Sequence, residues 1–257
     1  MPALQNPFKS ALHNKDLQVG CWLGFADAYV AELMGTAGFD WLVVDGEHAP
    51  NDLRSIRDQL AILEHSPSHA VVRLPSDEVW MIKQALDAGA QTLLVPMVET
   101  AEQAAAIVAA SKYPPEGIRG MGATMARASR FGEITDYATT ANDEVAVIVQ
   151  VETAKGMSNL AEIAATDGID GVFIGPADLS ADMGFPGNAG APEVVAEIER
   201  AARVIAEAGK ASGILALADE TARSYQSVGY AFIAVGIDVM LLAKAARALA
   251  ASWTRGS

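Results

Sequence analysis

Short apolar runs alternate with helix-forming stretches along almost the whole chain, and this alternation is the feature that most restricts its fold. The runs contain few polar residues, which is typical of strands buried on both faces of a parallel sheet. We interpret eight of them as strands, at residues 19–25, 41–48, 70–75, 92–98, 145–152, 171–176, 211–217 and 232–236. A repeated strand–helix order predicts an α/β fold with a parallel sheet.

A glycine recurs at the end of the predicted helices, just before the next strand. Gly38, Gly89, Gly168, Gly209 and Gly229 occupy this place. Glycine there is typical of a left-handed helix C-cap that leads into a short loop. Eight strand–helix units over 257 residues predict a single domain, residues 1–257, folded as a closed (β/α)8 TIM barrel. A doubly wound open sheet is the alternative, but residues 20–24 lack the glycine spacing that this fold uses after its first strand.

Capping residues set the expected limits of the helices. Asp27 is placed to cap the first helix, and Asn51 and Asp52 are placed to cap the second. The predicted helices cover residues 27–38, 51–64, 76–88, 100–112 and 238–253, with others after strands five to seven. Residues 1–16 are predicted to be a polar leader, and residues 113–143 a long irregular segment.

The composition limits which binding partners and which cellular location are expected. The formal net charge of −14 argues against nucleic acid and anionic membrane surfaces, although a local cation or arginine can still attract an anionic substrate. The single cysteine, Cys21, excludes an intrachain disulfide and is interpreted as a small buried hydrophobe. Neither a signal peptide nor an uninterrupted membrane-spanning run is found in the sequence, which predicts a cytoplasmic protein.

Two acidic residues follow neighbouring apolar strands. Gln150 and Glu152 end the fifth strand on one face, and Asp178 lies just beyond the sixth strand, after Gly175. A carboxylate at the end of a doubly buried strand is costly unless a cation meets it. Each acid could instead cap the following helix, but together they predict an oxygen-ligand site for a divalent cation.

Further polar residues are expected at the same end of the barrel. Asp45 and His48 follow the second strand, and Arg73 ends the third. Arg73 could be a structural counter-ion of Asp45 or could bind a carboxylate or enolate, and His48 could be an ordinary exposed loop residue. Trp22 and Leu215 predict an apolar wall opposite these groups, as in a small-molecule site.

The lysines argue against Schiff-base chemistry. None lies in the carboxyl half of a predicted strand, and the nearest, Lys155, opens a helix. His13, His65 and His69 fall away from the expected mouth of the barrel and are interpreted as structural. Carbonyl chemistry assisted by Mg²⁺ or Mn²⁺ is therefore favoured.

Six motifs in this order resemble those of the HpcH/HpaI aldolase family of class II pyruvate aldolases. They are Asp45-Gly46-Glu47-His48, VVRLP, LLVPMV, YPPEGIRG, VQVET and IGPADLS, and the similarity runs from Gly20 to about Arg247. The resemblance implies metal-dependent, reversible cleavage of 4-hydroxy-2-oxo acids to pyruvate, or a related 2-oxo acid, and an aldehyde. It also implies a role in the catabolism of aromatic compounds.

The resemblance implies a role for each motif residue. Glu152 and Asp178 would hold Mg²⁺, Mn²⁺ or Co²⁺, and Gln150 with the backbone near Gly175 and Ala177 would touch the 2-oxo acid. Arg73 would stabilise the enolate, and His48 would act as the base at the aldol hydroxyl. Asp87 matches the position of a helix aspartate that, in this family, acts on that histidine from a neighbouring subunit.

Several alternatives stay open at this stage. The same residues would suit a 2-dehydro-3-deoxyglucarate-type sugar-acid aldolase or an acyl-CoA lyase, and a non-catalytic binding barrel is the alternative outside enzymes. The segment from Arg119 to Arg130 would either close over the aldehyde or contact another subunit. The resemblance implies a homohexamer, a trimer of dimers, and the C-terminal helix is a candidate subunit contact.

Overall fold

Eight parallel strands form a closed barrel in the computed structural model, which describes residues 1–253. Each strand pairs with the next along the chain, and the eighth pairs with the first, so the predicted (β/α)8 architecture is confirmed. The strands are β1 Gln18–Leu23, β2 Trp41–Asp45, β3 His69–Arg73, β4 Thr92–Val95, β5 Ala146–Val151, β6 Gly171–Ile174, β7 Ala211–Leu215 and β8 Phe232–Ile237.

Helices follow the strands and cover most of the outside of the barrel. They are α1 Pro7–Asn14, α2 Ala28–Gly35, α3 Leu53–Leu63, α4 Val79–Asp87, α5 Ala101–Ser111, α6 Tyr137–Glu144, α7 Ala154–Ser158, α8 Leu160–Ala164, α9 Pro176–Asp182, α10 Pro192–Glu207, α11 Asp219–Ser227 and α12 Asp238–Trp253, with a 3₁₀ turn at Arg127–Ser129. In the part of the chain that the structure describes, no helix is long and apolar enough to cross a membrane.

Local capping explains where several helices begin and end. The Asp27 side chain accepts hydrogen bonds from the first turn of α2, and Asp52 does so for α3, as predicted. Asn51 is not the cap, because its amide nitrogen donates instead to the Asp45 carbonyl at 2.8 Å. The five glycines predicted as left-handed C-caps all have positive φ, from 77° at Gly209 to 112° at Gly89.

Three expectations about helices are wrong. The segment predicted as a polar leader contains a helix, α1, with Asn6 as its N-cap, and its buried Phe8 and Leu12 close the amino end of the barrel. Residues 113–143 contain the 3₁₀ turn and all but the last residue of α6, because Tyr137 and Ala141 pack into a small core of their own. The helix predicted from residue 76 begins at Val79 instead, after an extended Glu78 that makes no side-chain cap.

Two apolar layers stabilise the barrel. Inside it, Trp22, Trp41, Phe173 and Phe232 pack against one another in edge-to-face and tilted pairs, with ring centroids 5.4–6.2 Å apart. Outside it, the alternate strand residues pack against the helices. Side chains therefore fill the interior of the barrel, and a cavity lies at the carboxyl ends of the strands, where the polar residues gather.

Candidate active site

A cavity of about 500 Å³ lies at the carboxyl end of the barrel. Its lining includes the predicted residues Trp22, Asp45, His48, Arg73, Gln150, Gly175, Ala177, Asp178 and Leu215. The structure therefore brings these side chains and backbone groups together at one site. Apolar lining that the sequence did not single out comes from Phe173, Ile237, Val239 and Met240.

Arg73 and Asp45 form a two-point ion pair at the floor of this cavity. Arg73 Nε donates to Asp45 Oδ1 at 2.9 Å, and Nη2 donates to Oδ2 at 2.7 Å. The two residues are direct partners in the β2–β3 register, so neighbouring strand ends place them side by side. Burial alone would raise the pKa of Asp45, but its hydrogen bonds to Arg73 and the charge of that guanidinium hold the pKa below its usual value.

The loop after β2 wraps around the Arg73 side chain. Asp45 Oδ1 also accepts from the backbone nitrogens of Glu47 and His48, at 3.0 and 3.3 Å, and the Gly46 nitrogen donates to the Arg73 carbonyl at 2.8 Å. A Cβ at position 46 would stand 2.6 Å from that carbonyl oxygen, so only glycine fits there. Arg73 is thus held on one side by Asp45 and from below by Trp22, whose ring centroid lies 5.3 Å from Cζ.

Glu47 is a second acid beside Arg73 and was not predicted as a site residue. Its Oε2 lies 2.8 Å from Arg73 Nη1, within ion-pair distance, yet this buried oxygen has no hydrogen-bond partner. Burial raises the pKa of Glu47, with further contributions from the charges of Asp45 and Asp178.

Glu152 is buried at the end of β5 and has no cationic partner among the hydrogen bonds and ion pairs found in residues 1–253. Its Oε1 accepts from the Met97 nitrogen at 2.9 Å, and its Oε2 contacts the Gln150 amide. Met97 has a φ of 57°, a left-handed conformation that is uncommon outside glycine, and this conformation accompanies the hydrogen bond that its N–H makes to the carboxylate. Burial raises the pKa of Glu152, and the charges of Glu47 and Asp178 raise it further.

The surroundings of Glu152 fit a divalent cation. Gly175 leaves space beside Glu152 Oε2 that a Cβ would fill, and Asp178 follows in the first turn of α9. Gln150 Oε1 is buried without a hydrogen-bond partner. Buried carboxylates without a cation are costly, and Mg²⁺ is commonly held by one or two carboxylates together with water and substrate oxygens. Within residues 1–253, no group of three or more His, Cys, Asp or Glu side chains is arranged to hold a metal ion.

His48 lies at the mouth of the cavity, where two-thirds of its side chain is exposed. Its Nε2 is 3.9 Å from Glu47 Oε2. The ring is therefore accessible to a ligand that enters the cavity. His69, by contrast, is stacked on Phe8 at the amino end, and burial lowers its pKa to about 4.

Asp87 and the segment from Arg119 to Arg130 lie at the other end of the barrel. Asp87 ends α4, and its Oδ1 accepts from Arg119 Nη2 at 2.8 Å. Arg127 and Arg130 both pair with Glu64, which follows the end of α3. Asp87 is therefore not brought to His48 of its own chain, and the arginine segment does not cover the cavity of its own chain.

Lysine is absent from the residues that line the cavity, within the described part of the chain. Lys155 Nζ forms an ion pair with Glu99 at 2.8 Å on the rim. Asp238, which was not predicted, accepts hydrogen bonds from the nitrogens of Gly24 and Phe25 at 2.8 and 3.4 Å. It fixes the loop after β1 where α12 begins, beside the cavity.

The fold and the cavity together define a (β/α)8-barrel enzyme whose site combines buried carboxylates with one arginine at the strand ends. The sequence model of the HpcH/HpaI aldolase/citrate lyase family matches residues 18–245. The chain belongs to this family.

Relatives with assigned names agree with this membership. A hydroxypyruvate/pyruvate aldolase of Roseovarius nubinhibens is 60% identical over 253 residues, covering 98% of each chain. A 4-hydroxy-2-oxo-heptane-1,7-dioate aldolase of Salmonella dublin is 55% identical over 248 residues, covering 96% of this chain and 94% of its own length. Among solved structures, an HpcH/HpaI aldolase/citrate lyase family protein from Burkholderia cenocepacia is 42% identical, with a TM-score of 0.93 over 96% of this chain and 99% of its own.

Proposed function

We propose that this protein catalyses the reversible aldol cleavage of 4-hydroxy-2-oxo acids to a 2-oxo acid, pyruvate or a close relative, and an aldehyde. The observation that carries the proposal is that Arg73, His48 and Asp178 line one cavity at the carboxyl end of the barrel, with Glu152 buried directly behind Gln150 and Gly175 of that lining. The relatives named as aldolases support the reaction class.

We assign the divalent cation, Mg²⁺, Mn²⁺ or Co²⁺, to Glu152 and Asp178. When bound, such an ion polarises the keto group of a 2-oxo acid, which makes the neighbouring carbon–carbon bond easier to break. Gln150 would orient the substrate through its unpartnered Oε1 or, after an amide flip, its nitrogen. The backbone at Gly175 and Ala177 completes this side of the cavity.

Arg73 is assigned to the oxygen on which negative charge develops during cleavage. A guanidinium fixed by two hydrogen bonds to Asp45 is already oriented before the reaction, so little reorganisation is needed when the charge develops. His48 is assigned the proton of the aldol hydroxyl, because it is the accessible imidazole at the cavity. Asp87 can act on a His48 ring only from another copy of the chain.

The apolar side of the cavity is assigned to the aldehyde. Trp22, Leu215, Val239 and Met240 line it. The name of the Roseovarius relative supports hydroxypyruvate as a second 2-oxo acid for this chain. Cleavage of sugar acids of the 2-dehydro-3-deoxyglucarate type is the alternative within the same chemistry, and a role in aromatic-compound catabolism stays a prediction.

We propose that the protein is a single-domain, cytoplasmic homohexamer, a trimer of dimers, in which α12 packs on a second copy. Only Asp238 of α12 is buried, although the helix carries Leu241, Leu242 and Leu249. The outer faces of β1 and β8, which the last helix of a closed barrel usually covers, line an open groove instead. The number of subunits can be measured by light scattering. The predicted domain also includes residues 254–257, which lie outside the described residues.

The reaction is tested by following pyruvate release from a 4-hydroxy-2-oxo acid. A chelator should abolish release, and added Mn²⁺, Co²⁺ or Mg²⁺ should restore it. Activity that survives chelation and is trapped by borohydride would instead indicate a lysine Schiff base and overturn the proposal. A panel of aldehydes offered with pyruvate or hydroxypyruvate then defines the substrate range.

A further inference from the structure

We propose that Glu47 is a displaceable counter-ion of Arg73, which occupies the guanidinium in the resting site and is exchanged for an oxygen of the incoming 2-oxo acid. This inference rests on the proposed function, because it assigns a ligand to Arg73. It gives Glu47 a positioning role that neither the metal pair nor His48 supplies.

The guanidinium of Arg73 has two carboxylate partners, Asp45 and Glu47, which contact it in different geometries. Asp45 takes Nε and Nη2 through two aligned hydrogen bonds, and both residues are buried. Glu47 stands 2.8 Å from the remaining nitrogen, Nη1, but its Oε2 forms no hydrogen bond. Asp45 is thus a fixed partner, whereas Glu47 contributes charge without directional bonding.

The charge balance makes the second contact easy to exchange. Arg73 lies within ion-pair distance of two carboxylates, Asp45 and Glu47, so the guanidinium faces more negative charge than it can neutralise. Burial raises the pKa of Glu47 by more than the charge of Arg73 lowers it, so the pKa lies above its usual value and the ionised form is disfavoured. A planar anion that bonds Nη1 in line would therefore replace an unaligned ion pair with an aligned one.

The Glu47 side chain has room to move away from Arg73, towards the mouth of the cavity. Its side chain is partly exposed, unlike those of Asp45 and Arg73, and its Oε2 is already 3.9 Å from His48 Nε2. The carboxylate can therefore turn towards the mouth while the backbone, held by Asp45 Oδ1, stays in place. Binding of the 2-oxo acid would in this way bring an acid closer to the imidazole that handles the aldol proton.

The test measures binding of oxalate, a planar dianion shaped like the enolate of pyruvate, to the Mn²⁺-saturated protein by calorimetry. Wild type must break the Arg73–Glu47 contact, so Glu47→Gln should bind oxalate about 5-fold more tightly, an effect of the size expected for a partly exposed ion pair. Glu47→Asp keeps the charge but shortens the reach, and it should also bind more tightly. The KM for pyruvate should fall in parallel, with a smaller change in kcat.

Glu99→Gln is the matched control. Glu99 lies at the same end of the barrel and pairs with Lys155, so this variant removes one negative charge without touching Arg73. Its oxalate affinity should stay within about 2-fold of wild type, the range of a screened surface charge.

Unchanged or weaker oxalate binding in both Glu47 variants would overturn the inference. Tighter binding in Glu47→Gln alone would also overturn it, because a charge effect at a distance would then explain the result without contact. If either outcome is found while the wild-type protein still releases pyruvate in the presence of Mn²⁺, the proposed function stands and only this role of Glu47 is overturned.

Discussion

Asp45 and Arg73 face each other across the ends of two neighbouring strands, with both carboxylate oxygens bonded to one guanidinium at 2.9 and 2.7 Å. The pair is almost fully buried, so neither charge is solvated by bulk water. It orients Arg73 in the cavity and also fixes the loop that carries Glu47 and His48. The ion pair is therefore both a structural contact and the support of the site.

Replacing Asp45 by Asn should cost both stability and activity. The change leaves Arg73 without its aligned ionic partner, and breaking a buried pair from one side typically costs about 3–5 kcal/mol. Glu47 remains nearby and will offset part of this loss. We expect a fall of about 2–4 kcal/mol in the free energy of unfolding in urea and a fall of at least about 100-fold in kcat/KM.

Asp58→Asn is the control for that variant. Asp58 pairs with Arg57 on the exposed surface of α3, where an ion pair contributes about 0–1 kcal/mol. Equal effects of the two substitutions would contradict the role given to the buried pair.

Replacing Gly175 by Ala should disturb the candidate metal site without unfolding the barrel. The added Cβ would overlap Glu152 Oε2 and lie 3.1 Å from Gln150 Nε2. Since a shift of about 1 Å in a catalytic group can cost about 100-fold in rate, we expect a loss of that order and weaker Mn²⁺ binding by calorimetry. Gly190→Ala, whose Cβ would meet nothing closer than 3.7 Å, should retain wild-type activity.

The stability of the metal-free protein should depend on pH through Glu152. Its pKa in the folded state lies above the ordinary value of 4.5, so the folded state binds more protons than the unfolded state between the two values. The contribution of this group to stability therefore falls as pH rises from about 4.5 through the raised pKa, and the penalty is complete above it. The contribution of Asp45 to stability has the opposite pH dependence, because the pKa of Asp45 is lowered in the folded state. This contribution is lost as pH falls through the folded-state pKa.

Glu152→Gln isolates the first of these effects. At pH 8 without metal, the variant should have a higher unfolding temperature than wild type, because it removes the buried charge and keeps an oxygen that can accept from Met97. Added Mn²⁺ should stabilise wild type and leave the variant unchanged. If the variant is less stable than wild type at pH 8, burial of the ionised Glu152 carboxylate does not destabilise the metal-free protein.

Replacing Leu215 by Ala should widen the apolar side of the cavity. Leu215 lines it, whereas Leu217, two residues further along, is exposed and does not. One methylene group more or less in an apolar pocket changes the discrimination between two substrates by about 10–200-fold. We therefore expect kcat/KM for a bulky aldehyde to rise about 10-fold relative to kcat/KM for a small one. Leu217→Ala should leave this ratio unaltered.

The parts of the fold that repeat along the chain were predictable from the sequence, because one pattern is repeated in each unit. The apolar strands, the caps at Asp27 and Asp52 and the glycines with positive φ all belong to that repetition. Helix α1 was missed because Phe8 and Leu12 give too short an apolar stripe, and they are stabilised only by the open end of the barrel that they fill.

The candidate site was predictable to the extent that strand ends locate it. Arg73, Gln150 and Asp178 were found from their positions at, or just beyond, the carboxyl ends of apolar strands. Glu47 was missed because its proximity to Arg73 Nη1 depends on how the loop folds back, and this is a contact in space rather than a spacing. The location of Asp87 far from its own chain's cavity likewise follows from the direction of α4 in three dimensions.

Exchange of the pyruvate methyl protons with solvent deuterium, followed by proton NMR, tests the central assignment most directly. It reports enolate formation alone, without an aldehyde. We predict exchange in the presence of Mg²⁺, its loss on chelation, and a loss of at least about 100-fold in Glu152→Gln and in Arg73→Ala. Exchange that continues at the wild-type rate after chelation, or in the Arg73→Ala variant, would contradict the account.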